Sequence, residues 1–245
     1  YQETARELGF DAQIGDQQKD EYDRLRREGL VERWAQRYGL SPTILTMVIV
    51  NETSLLPPRT SSANAQGLMQ ILESTAKRWI ESGITDLVTQ NGEIIHDRVG
   101  FNDEEWEAFK KYGGPTGRSG YDYTNDAHSI QVGAAGLRYL INYFENYYSE
   151  YNLASDHRSL MHLVLMSYNA GENKVTGSID KNHGGDPFQA IINWDEANET
   201  IKRMQEEGAT DEEIAKTTRP GFLGPGRYAK SSIGVDDKVG GRNRR

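Results

Sequence analysis

One apolar run in an otherwise polar chain most constrains what this sequence can fold into. Residues 43–50 read Thr-Ile-Leu-Thr-Met-Val-Ile-Val and lead directly to Asn51 and the carboxylate of Glu52. Ser41 and Pro42 fit the N-cap and the first position of a helix. Helical spacing then gives this helix one shared face, formed by Leu45, Val48, Ile49 and Glu52. The sequence therefore predicts a buried helix that ends in an acidic side chain.

The predicted setting of Glu52 gives its carboxyl group a chemical use. Burial disfavours the charged form of a carboxylic acid, and so does the negative C-terminal end of a helix. Both effects raise a pKa, so Glu52 is expected to stay protonated near neutral pH. A protonated carboxyl group in such a position can act as a general acid.

Composition narrows the class of protein further. The 245 residues are enough for one large domain. The net charge of −9 argues against nucleic acid as the main partner, because nucleic-acid binding needs a broad basic face. No apolar run reaches the roughly 20 residues of a membrane span. The absence of cysteine excludes disulfides, thiolate metal sites and a cysteine nucleophile. The chain begins with Tyr1 and shows no signal-peptide pattern, so we expect a processed form or an excerpt of a longer protein.

Hydrophobic periodicity and capping signals predict an all-α fold with a mixed insertion. We expect an N-terminal helical extension over 1–29, a main domain over 30–235 and a flexible basic tail over 236–245. The insertion covers about 83–125 and contains a hairpin signal in Asn91-Gly92 followed by Ile94-Ile95. The predicted helices span 16–27, 30–38, 42–52, 74–82, 102–112, 127–148, 155–169, 194–207 and 210–216.

Two of these helices carry further expectations. The charged 16–27 helix reads as a solvated helix or a connector, and Ser155 reads as the N-cap of the 155–169 helix. The 127–148 helix places small residues at 133–136, where another helix could approach closely.

Three short segments combine polar residues with apolar helices, and each has an ordinary explanation when it is taken alone. Residues 51–54 (Asn-Glu-Thr-Ser) are typical of a solvated helix end. Residues 67–71 (Gly-Leu-Met-Gln-Ile) are typical of a turn that leads into a helix. Residues 167–171 (Ser-Tyr-Asn-Ala-Gly) fit a helix C-cap with Asn or Gly in the left-handed conformation.

Taken together and in this order, the three segments resemble the signature motifs of the soluble lytic transglycosylases, the lysozyme-like enzymes that cut peptidoglycan. The family pattern has Tyr-Gly, an apolar helix, Glu-Ser, a Ser nine residues after the Glu, Gly-Leu-Met-Gln, Ser-Thr-Ala and Ala-Tyr-Asn-Ala-Gly. The matching positions are Tyr38-Gly39, Glu52, Ser61, 67–70, 74–76 and 168–171. The resemblance covers about 35–80 and 126–175, and it implies a helical, lysozyme-like fold.

This chain departs from the family pattern at several positions. Thr53 replaces the usual Ser after the acid, and Ser129 and Gly136 replace an Asn and a Tyr of the long helix. Whatever the Asn and the Tyr support in the family is therefore in question here. Residues 83–125 also form a much longer connection than the family has.

The resemblance implies that Glu52 is the single acid and base of the reaction, with no cofactor and no metal. Glu52 would protonate the β-1,4 bond between N-acetylmuramic acid and N-acetylglucosamine, and the muramyl 6-hydroxyl would close onto C1 to give a 1,6-anhydro end. Tyr168 would position or tune Glu52. The remaining substrate-binding roles, toward the acetamido groups and the sugar ring, fall to Ser61, Met69, Gln70 and Asn169.

Two alternatives stay open. A lysozyme-type hydrolase would need a second carboxylate to hold a water, for which the insertion offers Asp86, Asp97 and Asp103. An inactive peptidoglycan-binding module of a larger assembly would keep the motifs without the activity. Action in the periplasm or cell wall is expected, with glycan strands as partner. We favour a virion-associated phage protein over a bacterial secretion-system or periplasmic enzyme that is exported with a signal absent from this chain. Further partners would be other subunits of a phage virion or a secretion assembly.

Overall fold

The computed structural model describes residues 16–53, 55, 65–72, 74–76, 79, 86–88, 94–96, 125–210 and 213. Two short strands, β1 and β2, span Asp86–Val88 and Ile94–His96. Two 3-10 turns, at Ser149–Tyr151 and Leu153–Ser155, follow the longest helix. The helices are α1 Asp16–Arg27, α2 Leu30–Arg37, α3 Pro42–Thr53, α4 Asp126–Tyr147, α5 His157–Ala170, α6 Glu172–His183 and α7 Pro187–Glu206. Apart from this hairpin and an isolated bridge between Gln66 and Ile71, the regular secondary structure of the described residues is helical, which confirms the predicted all-α class.

The described residues form two compact units, one that ends at Asn142 and one that begins at Tyr143. In the first unit, the predicted core helix α3 is buried at every position from Ile44 to Asn51. The Ser41 hydroxyl accepts a hydrogen bond from the Thr43 amide at 3.3 Å, as an N-cap does. The predicted start and burial of this helix are confirmed.

Helix α1 has the predicted bounds, but it is not simply a solvated helix. Its Leu25 is 1% exposed and belongs to the core of the first unit. Arg24 pairs with Glu21 of the same helix at 2.8 Å and with Glu28, just after the helix, at 2.9 Å. The same guanidinium also pairs with Asp126 at the start of α4, so α1 is tied to a helix about a hundred residues along the chain.

Helix α4 has the core face predicted from its period, with Ile130, Leu137, Leu140, Ile141, Phe144 and Tyr148 all buried. Its small residues do permit a close approach, but the groups that fill the space are side chains from residues 69 and 79. A Cβ added to Gly133 would come within 2.7 Å of Met69 Cγ. One added to Gly136 would come within 2.6 Å of Trp79 Cδ2. The absent Cβ atoms therefore make room for a methionine and an indole.

In the second unit the predicted cap of α5 is wrong by one residue. Asp156 is the N-cap, since its carboxylate accepts from the Ser159 amide at 3.1 Å and from the Ser159 hydroxyl at 2.8 Å. Ser155 instead ends a 3-10 turn, and its hydroxyl donates to the Asn152 carbonyl oxygen. Because the Asp156 carboxylate accepts two hydrogen bonds at once, Asp156 rather than Ser155 caps the helix.

The second unit also corrects two helix predictions. Helix α6, which contains Gly177, was not predicted. Helix α7 begins seven positions before the predicted start, with Asp186 as its N-cap and Pro187 in its first turn. The predicted capping box is confirmed, since Thr210 N donates to Glu213 Oε2 at 2.8 Å and Glu213 N donates to Thr210 Oγ1 at 3.3 Å.

The predicted hairpin of the insertion is confirmed by the antiparallel pairing of β1 with β2, in which Leu87 lies opposite Ile95. The predicted 102–112 helix, the basic tail and most of the 74–82 helix lie outside the described residues.

Candidate active site

Glu52 lies in the last turn of α3, one residue before the helix ends at Thr53. Its side chain is half-buried, while the preceding residue Asn51 is 9% exposed and the turn before that is fully buried. The carboxyl group is therefore placed by a rigid core helix, at the end where the helix dipole disfavours negative charge. Function is often carried by residues that a buried scaffold holds at the surface in this way.

Residues 67–70 form a tight turn, as the sequence predicted. Gln66 and Ile71 exchange two backbone hydrogen bonds of 3.0 Å, which close the turn at its base. Gly67 and Gln70 both have positive φ values, 74° and 47°. A positive φ is uncommon for a residue such as Gln, and it is held here by two bonds to the Gly67 carbonyl oxygen, from Gln70 N at 3.1 Å and Gln70 Nε2 at 3.0 Å.

Two hydroxyl groups hold this turn in place within the first unit. Thr53 Oγ1 lies 3.4 Å from the Leu68 carbonyl oxygen and 3.1 Å from the Ile49 carbonyl oxygen, so its single proton is shared between them. Ser129 Oγ on α4 accepts a hydrogen bond from the Met69 amide at 3.1 Å. The two departures from the family pattern thus have defined contacts here: Thr53 keeps a hydroxyl, and Ser129 satisfies a buried N–H group.

Met69 has a core position in this structure. Its side chain is 0% exposed and lies against Gly133 of α4. Gln70, the next residue, is half-buried. A sugar contact by Met69 would require its side chain to leave the core.

The third motif belongs to the second unit. Tyr168 is half-buried and Asn169 is exposed, both in the last turn of α5. Gly171 ends α5 with a positive φ of 88°, but its ψ of 138° lies outside the left-handed region, so the predicted left-handed C-cap is wrong. The Gly171 amide donates to the Ser167 carbonyl oxygen at 2.8 Å. Glu172, the first residue of α6, is 2% exposed. The sequence contained a signal for the helix start at Glu172, because acidic residues are common in the first turn of a helix.

Ser61 lies outside the described residues. Of the other predicted site residues, the first unit contains Glu52, Met69 and Gln70. The second unit contains Tyr168 and Asn169. The described residues contain no group of three or more His, Asp or Glu side chains that could hold a metal ion. Among the helices of the described ranges, none combines the length and apolarity required to cross a bilayer. The contacts of Thr53 and Ser129 were missed from sequence, because a hydroxyl residue in a helix has no distinctive pattern.

Comparison with known proteins identifies the first unit's motifs. Residues 29–91 match the family model described as the transglycosylase SLT domain. Searches of the curated proteins and of the solved structures found no match. The matched segment begins just before α2, contains Glu52, Thr53 and the 67–70 turn, and ends before Tyr168. Residues 29–91 are therefore similar to the SLT domain of the soluble lytic transglycosylases, a lysozyme-like domain of enzymes that act on peptidoglycan.

Proposed function

We propose that this protein is a peptidoglycan lytic transglycosylase in which Glu52 is the single acid and base. One observation carries the proposal: within the matched segment, a carboxyl group stands at the end of a buried helix, next to a turn held by Thr53. A rigid scaffold of this kind suits a group that must meet a glycosidic oxygen in one orientation.

In the first step Glu52 donates its proton to the glycosidic oxygen between N-acetylmuramic acid and N-acetylglucosamine. The C1–O bond breaks, the N-acetylglucosamine side leaves as an alcohol, and positive charge develops at C1 of the muramyl residue. General acid catalysis of this type contributes about 10²–10⁴-fold to the rate of a reaction.

In the second step the Glu52 carboxylate removes the proton of the muramyl 6-hydroxyl. That oxygen forms a bond to C1, which closes the 1,6-anhydro ring, and Glu52 regains its proton. No water is consumed, so the two products together have the mass of the substrate. The sugar's own hydroxyl takes the place of the second carboxylate that most glycosidases use.

Substrate binding would fall to Ser61, Gln70, Tyr168 and Asn169, whose amides and hydroxyls suit neutral acetamido groups. Met69 was predicted to pack along the sugar. Because its side chain is buried against Gly133, we propose that it supports the Gln70 turn from beneath. The setting we favour is local opening of the cell wall by a virion-associated phage protein.

The test compares Glu52→Gln with the parent protein on purified peptidoglycan, with products measured by mass spectrometry. We expect the parent to release anhydro-muramyl ends and Glu52→Gln to lose about 10²-fold or more of the rate. Glu32→Gln is the matched control, because Glu32 is an exposed glutamate of α2 inside the same matched segment.

The alternatives give different products. A hydrolase would release reducing ends that are one water heavier, and Asp86→Asn would then reduce activity if Asp86 at the start of β1 held that water. A binding module would bind glycan strands and release nothing. An unchanged rate in Glu52→Gln would remove Glu52 from the catalytic role.

A further inference from the structure

One peptide group, between Leu68 and Met69, is held on both of its edges. Its carbonyl oxygen lies 3.4 Å from Thr53 Oγ1, and its N–H group donates to Ser129 Oγ at 3.1 Å. The C=O and N–H of a trans peptide point in opposite directions. The hydroxyls of Thr53, at the end of α3, and Ser129, on α4, therefore contact this peptide from opposite sides.

The residues beside this peptide are those of the proposed site. Thr53 directly follows Glu52, and Met69 directly precedes Gln70. Glu52 and Gln70 are thus linked through Thr53, the contact of its hydroxyl with the Leu68 carbonyl oxygen, and the Leu68–Met69 peptide group. A rotation of that peptide would change where the Gln70 side chain stands relative to Glu52.

Burial strengthens the bond between the Met69 amide and Ser129 relative to the same bond in water, whereas Thr53 on the other side is half-buried. Leu68, Met69 and Ser129 are all 0% exposed. A hydrogen bond in a low-dielectric interior is electrostatically stronger, and an N–H group that loses its partner there cannot turn to solvent. The turn also contains Gln70 at φ 47°, a conformation that persists only when its surroundings determine it.

We infer that Thr53 and Ser129 are positioning residues of the proposed transglycosylation, acting together through the Leu68–Met69 peptide. Thr53 sets the distance between α3 and the turn, and Ser129 sets the rotation of the turn against α4. This inference rests on the proposed function, because it concerns the alignment of Gln70 with Glu52.

The decisive variants change one hydroxyl at a time. Thr53→Val keeps the shape of the side chain and removes its hydroxyl, whereas Thr53→Ser keeps the hydroxyl. Thr46→Val is a matched control on the same helix, because Thr46 Oγ1 donates to the Pro42 carbonyl oxygen at 2.9 Å in the same i−4 manner. Ser129→Ala tests the other edge of the peptide.

Each variant is assayed for kcat and KM on soluble, uncrosslinked glycan strands, with Tm measured alongside. Small misplacements of reacting groups can cost up to about 10²-fold, so we expect kcat to fall by about 10-fold or more in Thr53→Val and Ser129→Ala. Thr53→Ser and Thr46→Val should retain kcat within about 3-fold. The double variant should be non-additive, because either single change already releases the peptide.

Amide hydrogen exchange gives a readout that does not depend on activity. We expect the Met69 amide to exchange faster in Ser129→Ala, and also in Thr53→Val, where its own acceptor is intact. Additive losses, or unchanged kcat and unchanged Met69 exchange in both variants, would overturn the inference while Glu52→Gln remains inactive. If Glu52→Gln is fully active, the proposed function itself fails, whatever the exchange data show.

Discussion

The indole of Trp79 occupies the space that a side chain at residue 136 would need. A Cβ added to Gly136 would come within 2.6 Å of Trp79 Cδ2, and Trp79 is 2% exposed. The family pattern has a tyrosine at this position of the long helix. In this chain the large ring comes from residue 79 and the small residue lies on α4.

This relationship predicts opposite effects for two Gly→Ala changes in helices. Gly136→Ala should lower the free energy of unfolding by about 1–3 kcal/mol, because a rigid ring cannot yield to the new methyl group. Gly177→Ala is the control: nothing lies within 4 Å of a Cβ there, so the helix should gain about 0.5–1 kcal/mol. Denaturant unfolding measures both. Trp79→Leu should recover part of the loss in Gly136→Ala, and a failure to do so would remove the ring as the cause.

The corrected cap of α5 predicts a difference between neighbouring residues. Asp156→Ala should cost about 1 kcal/mol of stability, whereas Ser155→Ala should cost much less because Ser155 does not cap the helix. Hydrogen bonds from the Ser159 hydroxyl and amide lower the pKa of Asp156. A lowered folded-state pKa means that this stabilisation is present above the unfolded pKa, near 3.9, and is lost as pH falls through the folded value. Equal losses in the two variants at pH 7 would contradict the assignment.

Two adjacent tyrosines at the end of α4 should respond differently to loss of the hydroxyl. Tyr148 is buried, and its OH has no hydrogen-bond partner among the described residues. Tyr147 is 48% exposed and donates to Asp180 Oδ2 at 2.7 Å. Tyr148→Phe should leave stability unchanged or raise it by up to about 1 kcal/mol, whereas Tyr147→Phe should lower it slightly.

The same pair predicts the alkaline behaviour of the second unit. Burial raises the pKa of Tyr148, and the hydrogen bond to Asp180 is the main cause of the raised pKa of Tyr147. Raised folded-state pKa values mean that stability is fully present below the unfolded value, near 10, and falls as pH rises toward the folded values. Thermal unfolding from pH 9 to 11 should show a decline that is weaker in Tyr148→Phe. An identical decline would contradict this origin.

His162 predicts a dependence on pH in the acidic range. Burial lowers its pKa, and the carboxylate of Asp195, 3.8 Å from Nε2, partly opposes that shift. The stability contribution is therefore present above the unfolded pKa, near 6.5, and declines as pH falls from there to the folded value. His162→Gln should flatten the stability profile between pH 7 and 5, while Asp195→Asn should extend the decline to lower pH. A profile that His162→Gln leaves unchanged would exclude this group as its source.

Local signals predicted much of the helical framework. Ser41 and Pro42 mark the start of α3, and the charged segment Asp16–Arg27 has its predicted bounds because capping and periodicity act over a few residues. The missed helix α6 shows the limit of such signals. Its Gly177 lowers helix propensity, but Val175 and Ile179 are 0% exposed, and their burial outweighs that cost.

The sequence by itself determined the acid at the end of a buried helix, the Gly-Leu-Met-Gln segment in register with it, and the resemblance of both to the soluble lytic transglycosylases. Only the tertiary structure decided how that segment is held. Ser129 and Met69 lie 60 positions apart, and Trp79 and Gly136 are also distant in the chain. A hydroxyl or a missing Cβ carries no periodic signal, because its partner is chosen by packing between helices.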